Sequence, residues 1–273
     1  MQQVDRTNIK YLMEIVNIHP SKDKGQNFLV DPIIQEKIIN LAEINANSKV
    51  IEVGPGLGSL TYHLENKANN LTVVDIDYRI ASYLSREVKS TTKVIYGDAL
   101  DYDFSDYDIV ISNIPYNITK DLIVHLLFSA KNAKQFVFMC QKENFAHFND
   151  VSGSEYGPAS VLIHLLGNIK KAFDVKPSSF VPMPRCQSTV FTISRNNTYD
   201  FDLVRETYLL ANRLFISRRK TVLNNLSILV NKDEAIKILE TLNIDAILRP
   251  EEISPREFYE LTKLLLEKGY KNV

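Results

Sequence analysis

Glycines and polar residues stand at or just after the ends of four apolar, strand-like runs. The run VIEV leads into Gly54, LTVV into Asp75 and DIVIS into Asn113, while Asp98 comes two residues after KVIY. Glycine lets a ligand approach the backbone, and a carboxylate can bind ribose hydroxyls or accept from an adenine amine. These residues therefore indicate a site for an adenosine-like ligand.

The four residues can share a site only if strands bring them to one edge of a sheet. Short β-branched runs alternate with helix-like segments, which is the pattern of βαβ units around a parallel sheet. Two of the predicted helices are 32–44, with Asp31 as its N-cap, and 118–130. The predicted strands are 48–53, 71–75, 93–96, 108–112, 135–140 and 187–194. Since open α/β sheets bind ligands at the carboxyl ends of their strands, we expect one common site.

The glycine-rich turn narrows the choice of ligand. Gly54, Gly56 and Gly58 follow the first of these strands, but Ser59 stands where a dinucleotide-binding motif has its last glycine. No residues for hydride transfer are evident. Recognition of adenosine without a pyrophosphate indicates S-adenosylmethionine.

Composition excludes several classes of protein. The 273 residues contain no run of eighteen apolar residues and no apolar segment behind a basic tip, so we expect a cytoplasmic protein that neither spans a membrane nor is exported. Cys140 and Cys186 lack metal-ligand spacing and the five histidines are scattered, so no metal is predicted. A net charge of −1 does not indicate a nucleic-acid binder, although basic residues concentrate at 213–220.

A polar break predicts two domains. The segment NNTYD follows Arg195, and from residue 201 onward the sequence has helical periodicity without a strand pattern. We expect a methyltransferase domain over 1–195, with an amino-terminal extension over 1–31, and a small α-helical domain over 199–273.

Seven motifs, in order along nearly the whole chain, resemble those of the ribosomal RNA adenine N6,N6-dimethyltransferases, specifically the bacterial small-subunit branch. They are KGQNFLVD (24–31), IEVGPGLGSLT (51–61), GDAL (97–100), NIPYNIT (113–119), QKE (141–143), SSFVPMPRCQSTV (178–190) and FISRRKTVLNNL (215–226). The resemblance implies a Rossmann-like, S-adenosylmethionine-dependent methyltransferase domain of the α/β class with a smaller all-α carboxy-terminal domain.

The resemblance also implies cofactor contacts that sheet topology does not predict. Asn27 and Leu29 precede the first core strand, yet they match a cofactor motif. The full predicted cofactor set is Asn27, Leu29, Glu52, Gly54, Gly56, Asp75, Ile76, Asp98, Ala99 and Asn113. The chain departs from the family at Asp75, where glutamate is common, and at Arg185–Gln187, where the family has Lys-Val-Asp.

The NIPY motif suggests how an adenine amine is activated. The side-chain oxygen of Asn113 and the carbonyl of Ile114 would accept the two N–H bonds, so that the nitrogen lone pair points at a sulfonium methyl group. Pro115 would fix the backbone, and the target base would stack between Tyr116 and Phe180.

The segment NRLFISRRKTVLNNL (212–226) is predicted to be one helix with an apolar side. Its basic residues Arg213, Arg218, Arg219 and Lys220 are predicted to contact ribosomal RNA. For Arg218 and Arg219, bracing of the two domains is an equal alternative.

We therefore expect an enzyme that dimethylates two adjacent adenosines in a loop near the 3′ end of small-subunit ribosomal RNA. Its partner would be the assembling small subunit, and the protein itself would be a monomer. Two alternatives are a large-subunit ribosomal RNA adenine methyltransferase and an assembly factor in which catalysis is dispensable.

Overall fold

A computed structural model describes residues 1–19, 27–116 and 118–270. Lys24–Gln26 of the amino-terminal motif and Asn117 lie outside these ranges. The helices are α1 Ile9–Ile15, α2 Pro32–Asn40, α3 Thr61–Leu64, α4 Tyr78–Glu87, α5 Thr119–Ser129, α6 Lys142–Asn149, α7 Pro158–Leu166, α8 Phe201–Ile216, α9 Val222–Leu226, α10 Lys232–Leu242 and α11 Pro255–Glu267. The strands are β1 Phe28–Leu29, β2 Lys49–Val53, β3 Asn70–Asp75, β4 Lys93–Tyr96, β5 Ile109–Asn113, β6 Gln135–Gln141, β7 Gly167–Val175, β8 Phe180–Val181 and β9 Ser188–Arg195.

Seven strands form the main sheet in the order β4-β3-β2-β5-β6-β9-β7. The first five strands in this order, from β4 at the edge to β6, pair in parallel with their neighbours. Strand β9 runs antiparallel to β6. The chain order reverses between β2 and β5, and such a reversal opens a crevice at the carboxyl ends of the two strands. The predicted Rossmann-like α/β fold is confirmed.

All six predicted strands are present to within one residue at each end. The helix predicted over 118–130 is α5, and the helix predicted from residue 32 is α2, which ends earlier, at Asn40. As predicted, the Asp31 carboxylate caps α2 by accepting from the backbone N–H groups of Ile33 and Ile34.

Strand β7 was not predicted from the sequence. Its residues are mostly exposed and include adjacent lysines, Lys170 and Lys171. An edge strand often carries lysines, which oppose pairing with another chain, and so it lacks the β-branched run on which the strand prediction relied.

The prediction of one helix over 212–226 was wrong. Helix α8 ends at Ile216, and α9 starts at Val222 behind a Thr221 side chain that accepts from the Asn224 N–H group. The Asn225 side chain donates to the carbonyl groups of Ser217 and Lys220 at 3.3 Å. Side-chain hydrogen bonds of this kind compete with the helical backbone pattern and stabilise the break.

The chain divides into two compact units. The first contains Met1–Asn144 and Lys170–Ser194, and the second contains Phe145–Ile169 and Arg195–Val273. The segment 145–169 thus belongs to the helical second unit, whereas the division expected from the sequence had placed it in the first domain. It includes α7, whose residues are buried on nearly every side, as expected for an apolar helix that lies inside a bundle.

Candidate cofactor and substrate site

A cavity of about 440 Å³ lies at the carboxyl ends of β2, β3, β4 and β5. Its volume falls in the range of small-molecule sites. All ten predicted cofactor residues line it, and so do Ile114, Pro115 and Tyr116. The tertiary structure thus brings the predicted cofactor and catalytic groups into one space, with the exception of Phe180.

The turn after β2 depends on glycine for its backbone conformation. Gly54 and Gly56 have φ angles of +67° and +54°, which are unfavourable for residues with a side chain. A Cβ atom at Gly56 would also lie 3.1 Å from the Phe28 ring. The turn therefore keeps backbone exposed to the cavity.

Asp75 holds this turn against the end of β3. Its carboxylate accepts from the N–H groups of Gly56 at 3.3 Å and Asp77 at 2.8 Å. The Asp75 backbone carbonyl accepts from Gly97, next to Asp98. Asp98 in turn accepts from Leu100 at 2.9 Å. Backbone hydrogen bonds thus fix both carboxylates in the lining of the cavity.

Glu52 is the most deeply buried acid of the cavity, with 2% of its surface exposed. The Thr61 hydroxyl donates to its Oε2 atom at 2.6 Å. Burial raises the pKa of Glu52 to about 8; the hydrogen bond from Thr61 opposes this shift, and the nearby Asp75 carboxylate adds to it.

The NIPY segment forms another part of the cavity lining. The Asn113 side chain makes a long hydrogen bond of 3.4 Å to the backbone carbonyl of Asn27. A carbonyl oxygen only accepts, so the donor is the Asn113 amide nitrogen, and the amide oxygen remains available as an acceptor. The next N–H group, of Ile114, donates to the Met139 carbonyl at 2.9 Å and continues the pairing of β5 with β6.

The segment after Asn113 is held at both of its ends. The Pro115 carbonyl accepts from the Ile118 N–H group and the Thr119 hydroxyl. The hydroxyl groups of Tyr116 and Ser188 share a hydrogen bond of 3.2 Å. Burial raises the pKa of the Tyr116 phenol, so it stays neutral at physiological pH.

The prediction that Phe180 stacks on the target base does not agree with its position. Only 1% of Phe180 is exposed, and it packs in the core with Phe28 and Leu29. The pairing of Leu29 with Phe180 joins β1 to β8. Phe180 does not line the cavity; its role is to hold the segment that carries Leu29.

Two residues that support the site were missed. Ser188, which positions Tyr116, is fully buried although it is a serine in a β-branched run. Gln35 is also fully buried and donates to the backbone carbonyls of Val4 and Leu29 at 2.8 and 2.9 Å. A polar residue within the apolar pattern of PIIQEKIIN was the signal that could have identified Gln35.

The four basic residues predicted to bind RNA fall into two groups. Arg213, Arg219 and Lys220 are exposed. Arg218, in contrast, pairs with Glu251 at 2.7 Å and donates to the carbonyls of Gly153 and Ser154. All of these partners lie in the second unit, so Arg218 stabilises that unit internally.

Across residues 1–19, 27–116 and 118–270, no group of three or more histidine, cysteine or acidic residues is arranged to hold a metal ion. In the same part of the chain, no helix is long and apolar enough to cross a membrane.

The sequence of this chain is similar to those of known proteins. A family model described as ribosomal RNA adenine dimethylase matches residues 18–267. Ribosomal RNA small subunit methyltransferase A of Malacoplasma penetrans is 34% identical, with 88% of this chain and 93% of that protein covered. The protein of the same name from Streptococcus thermophilus is 32% identical and covers 98% of this chain and 100% of its own length.

Two solved structures share the fold. A dimethyladenosine transferase from Plasmodium falciparum has 27% identity and a TM-score of 0.79, with 90% of this chain and 100% of that chain covered. The 23S rRNA methyltransferase ErmE has 21% identity and a TM-score of 0.67, with 87% and 98% covered. The second likeness concerns the fold alone.

Proposed function

The chain belongs to the ribosomal RNA adenine dimethylase family, and from that premise we propose that it dimethylates the N6 amines of two adjacent adenosines in a loop near the 3′ end of small-subunit ribosomal RNA. The name shared by the relatives from Malacoplasma and Streptococcus supports the choice of the small subunit. Members of this family are S-adenosylmethionine-dependent methyltransferases.

One observation carries the proposal. The residues suited to an adenosine-containing methyl donor and the NIPY residues line the same cavity. Across the sheet the order is β5, β2, β3 and β4, which sets Asn113, Glu52, Asp75 and Asp98 in a row. We infer that adenine and ribose lie near Asp98 and Asp75, the methionine part near Glu52, and the acceptor amine near Asn113.

The protein's contribution to the transfer is orientation. S-adenosylmethionine supplies an electrophilic methyl group on a positively charged sulfur. The amide oxygen of Asn113 and the carbonyl of Ile114 accept the two N–H bonds of the target amine, which directs the nitrogen lone pair at that methyl group. As the N–C bond forms, the C–S bond breaks and its electrons stay on sulfur; the amine then loses a proton to solvent.

Tyr116 holds the target base while this occurs. Its hydroxyl is fixed by Ser188, so its ring offers a stationary face for stacking. Loops suit this mode of binding because an unpaired base costs little free energy to extrude. We further propose that the protein acts as a cytoplasmic monomer on the assembling small subunit, without a metal ion.

The proposal is tested by methyl transfer to undermethylated small subunits. Radiolabelled S-adenosylmethionine is incubated with these particles, and the RNA is digested to nucleosides. We expect label in N6,N6-dimethyladenosine from the small subunit and none in large subunits treated in the same way. Label confined to large-subunit RNA would instead support the large-subunit alternative, and no transfer to either would support a binding factor.

The exposed basic side chains of the second unit provide a separate test of RNA contact. Changing Arg219 and Lys220 together to glutamate should weaken binding to the small subunit and reduce its dependence on salt, because fewer counterions are released on binding. Filter binding between 50 and 200 mM salt measures both effects, because affinity that depends on phosphate contacts falls steeply over this range. Unchanged affinity and salt dependence would exclude these residues from the RNA interface.

A further inference from the structure

The charges of the cavity are unbalanced. Four acids line it, and the described lining residues include no lysine, arginine or histidine. Asp77 pairs with Arg79 at 2.6 Å, while Asp75 and Asp98 accept from backbone N–H groups. Among the described residues, Glu52 has neither kind of partner. An uncompensated buried carboxylate is costly, so this site favours either a neutral Glu52 or a cationic ligand.

Among the described residues, one ionisable group and one hydrogen-bond donor surround Glu52. From α3 the Thr61 hydroxyl donates to Oε2, and from β3 the Asp75 carboxylate lies nearby. Its partners across the sheet are Val73 on β3 and Ile111 on β5, which carry no charge. Within the described part of the chain, no hydrogen bond to the second oxygen, Oε1, is found. Burial and the like charge of Asp75 therefore act together to favour the protonated carboxyl in the empty cavity.

The methyl donor and the product differ in charge at one atom. S-adenosylmethionine carries a permanent positive charge on sulfur, whereas S-adenosylhomocysteine has a neutral thioether, and both keep the same amino and carboxylate groups. Glu52 stands on β2, next to the strand that ends in Asn113. The sulfur must sit close to an amine held by Asn113 if the methyl group is to reach it, and Glu52 is the lining acid on the neighbouring strand.

We propose that Glu52 determines the preference of the cavity for the methyl donor over the demethylated product, by releasing its proton to solvent when the cationic donor binds. This inference rests on the proposed use of S-adenosylmethionine. Transfer of the methyl group removes the positive charge, after which Glu52 takes up a proton again. The product then lacks the sulfonium charge that attracts the ionised Glu52, and it dissociates more readily.

The sign of the resulting pH dependence follows from the raised pKa of Glu52. Below a pKa of about 8 the free protein carries the proton that donor binding must remove, so affinity for the donor rises with pH and levels off above that value. Affinity for the product changes less. Between pH 6.5 and 8.5, the preference for donor over product should rise on the order of tenfold.

Isothermal titration calorimetry of the full-length protein tests this. Titrating each ligand at pH 7 in buffers of different ionisation enthalpy gives the number of protons released on binding. We expect roughly one proton for S-adenosylmethionine and less than half a proton for S-adenosylhomocysteine in the wild-type protein. In Glu52→Gln, which keeps the size of the side chain, proton release and the pH dependence of the preference should be lost.

Thr61→Val provides a second variant that keeps the carboxyl group. It removes the hydroxyl that stabilises the ionised form, so the pH at which donor affinity levels off should move upward. Equal proton release for both ligands, or release that persists in Glu52→Gln, would overturn the inference while leaving the proposed function intact. Failure of the wild-type protein to bind S-adenosylmethionine at any pH would overturn both.

Discussion

Asn113 occupies the point where cofactor binding and substrate orientation meet. It ends β5, lines the cavity, and has its amide nitrogen directed at the Asn27 carbonyl. The identity of this residue was predictable because an amide after an apolar strand is conspicuous. The direction of its amide group was not, since that depends on a residue 86 positions away.

We expect Asn113→Ala to abolish methyl transfer while leaving most cofactor binding intact. Asn113 is one of ten predicted cofactor residues, whereas its amide oxygen is one of two acceptors for the amine, and loss of one such group costs about 100- to 1,000-fold in kcat. Single-turnover transfer measures the first effect and calorimetry measures cofactor affinity. An equal loss of affinity would assign Asn113 a structural role.

Two substitutions at Tyr116 separate its ring from its hydroxyl. Tyr116→Phe loses only the bond to Ser188, so kcat/KM should fall by less than about tenfold. Tyr116→Ala also loses the stacking face, worth about 1–3 kcal/mol, and kcat/KM should fall further. Because the phenol stays neutral, the pH profile of Tyr116→Phe should match that of the wild type. Equal activity of the two variants would rule out stacking.

The turn after β2 combines two demands on its glycines. Gly54 has positive φ, and a Cβ atom there would meet no atom of the described residues within 4 Å, but its position lines the cavity. Gly269, after α11, also has positive φ and open space around it. The two positions therefore share an unfavourable backbone conformation, but only Gly54 lines the cavity.

We expect alanine at Gly54 or Gly269 to destabilise the protein to a similar extent, about 1–2 kcal/mol from the left-handed backbone alone. Only Gly54→Ala should weaken S-adenosylmethionine binding, because its methyl group enters the cavity. Denaturant unfolding and calorimetry distinguish the two effects. Weaker cofactor binding in Gly269→Ala as well would point to general destabilisation instead.

The strands and helices differed in how well the local sequence predicted them. Strands β2 to β6 are short apolar runs bounded by turns, and such patterns are local. The break between α8 and α9 is not, since Val222 donates to the Leu248 carbonyl and Asn225 to carbonyls of the turn. The contacts of Arg218 were likewise not predictable from local sequence, because its partners Gly153, Ser154 and Glu251 are far away in the chain.

The second unit is built from two stretches of chain, and this affects how the protein can be divided. Helix α7 contributes buried Val161, Leu162 and Leu165 to a unit whose helices α8 to α11 follow residue 195. Helices α8 and α11 both pack against α7. A chain ending at Arg195 keeps α7 but loses these neighbours.

We therefore expect residues 1–195 alone to aggregate, since each exposed aliphatic side chain that was fully buried costs about 1.5–3 kcal/mol. Size-exclusion chromatography and a thermal melt, with the full-length protein as control, measure this. A soluble monomer of 1–195 with a cooperative melt would mean that α7 does not depend on the carboxy-terminal helices.

Local sequence specified much of this protein: the strands, the glycine turn, and the carboxylates and amide that line the cavity. Such features are recognisable because they depend on side-chain periodicity and on the backbone preferences of single residues. Contacts between distant segments settled the rest. They buried Phe180, joined 145–169 to the helical unit, directed the Asn113 amide and surrounded Glu52 with described lining residues that include no cation. Burial and charge environment depend on neighbours brought together only by folding, so they set the chemistry of the site in a way that sequence patterns do not record.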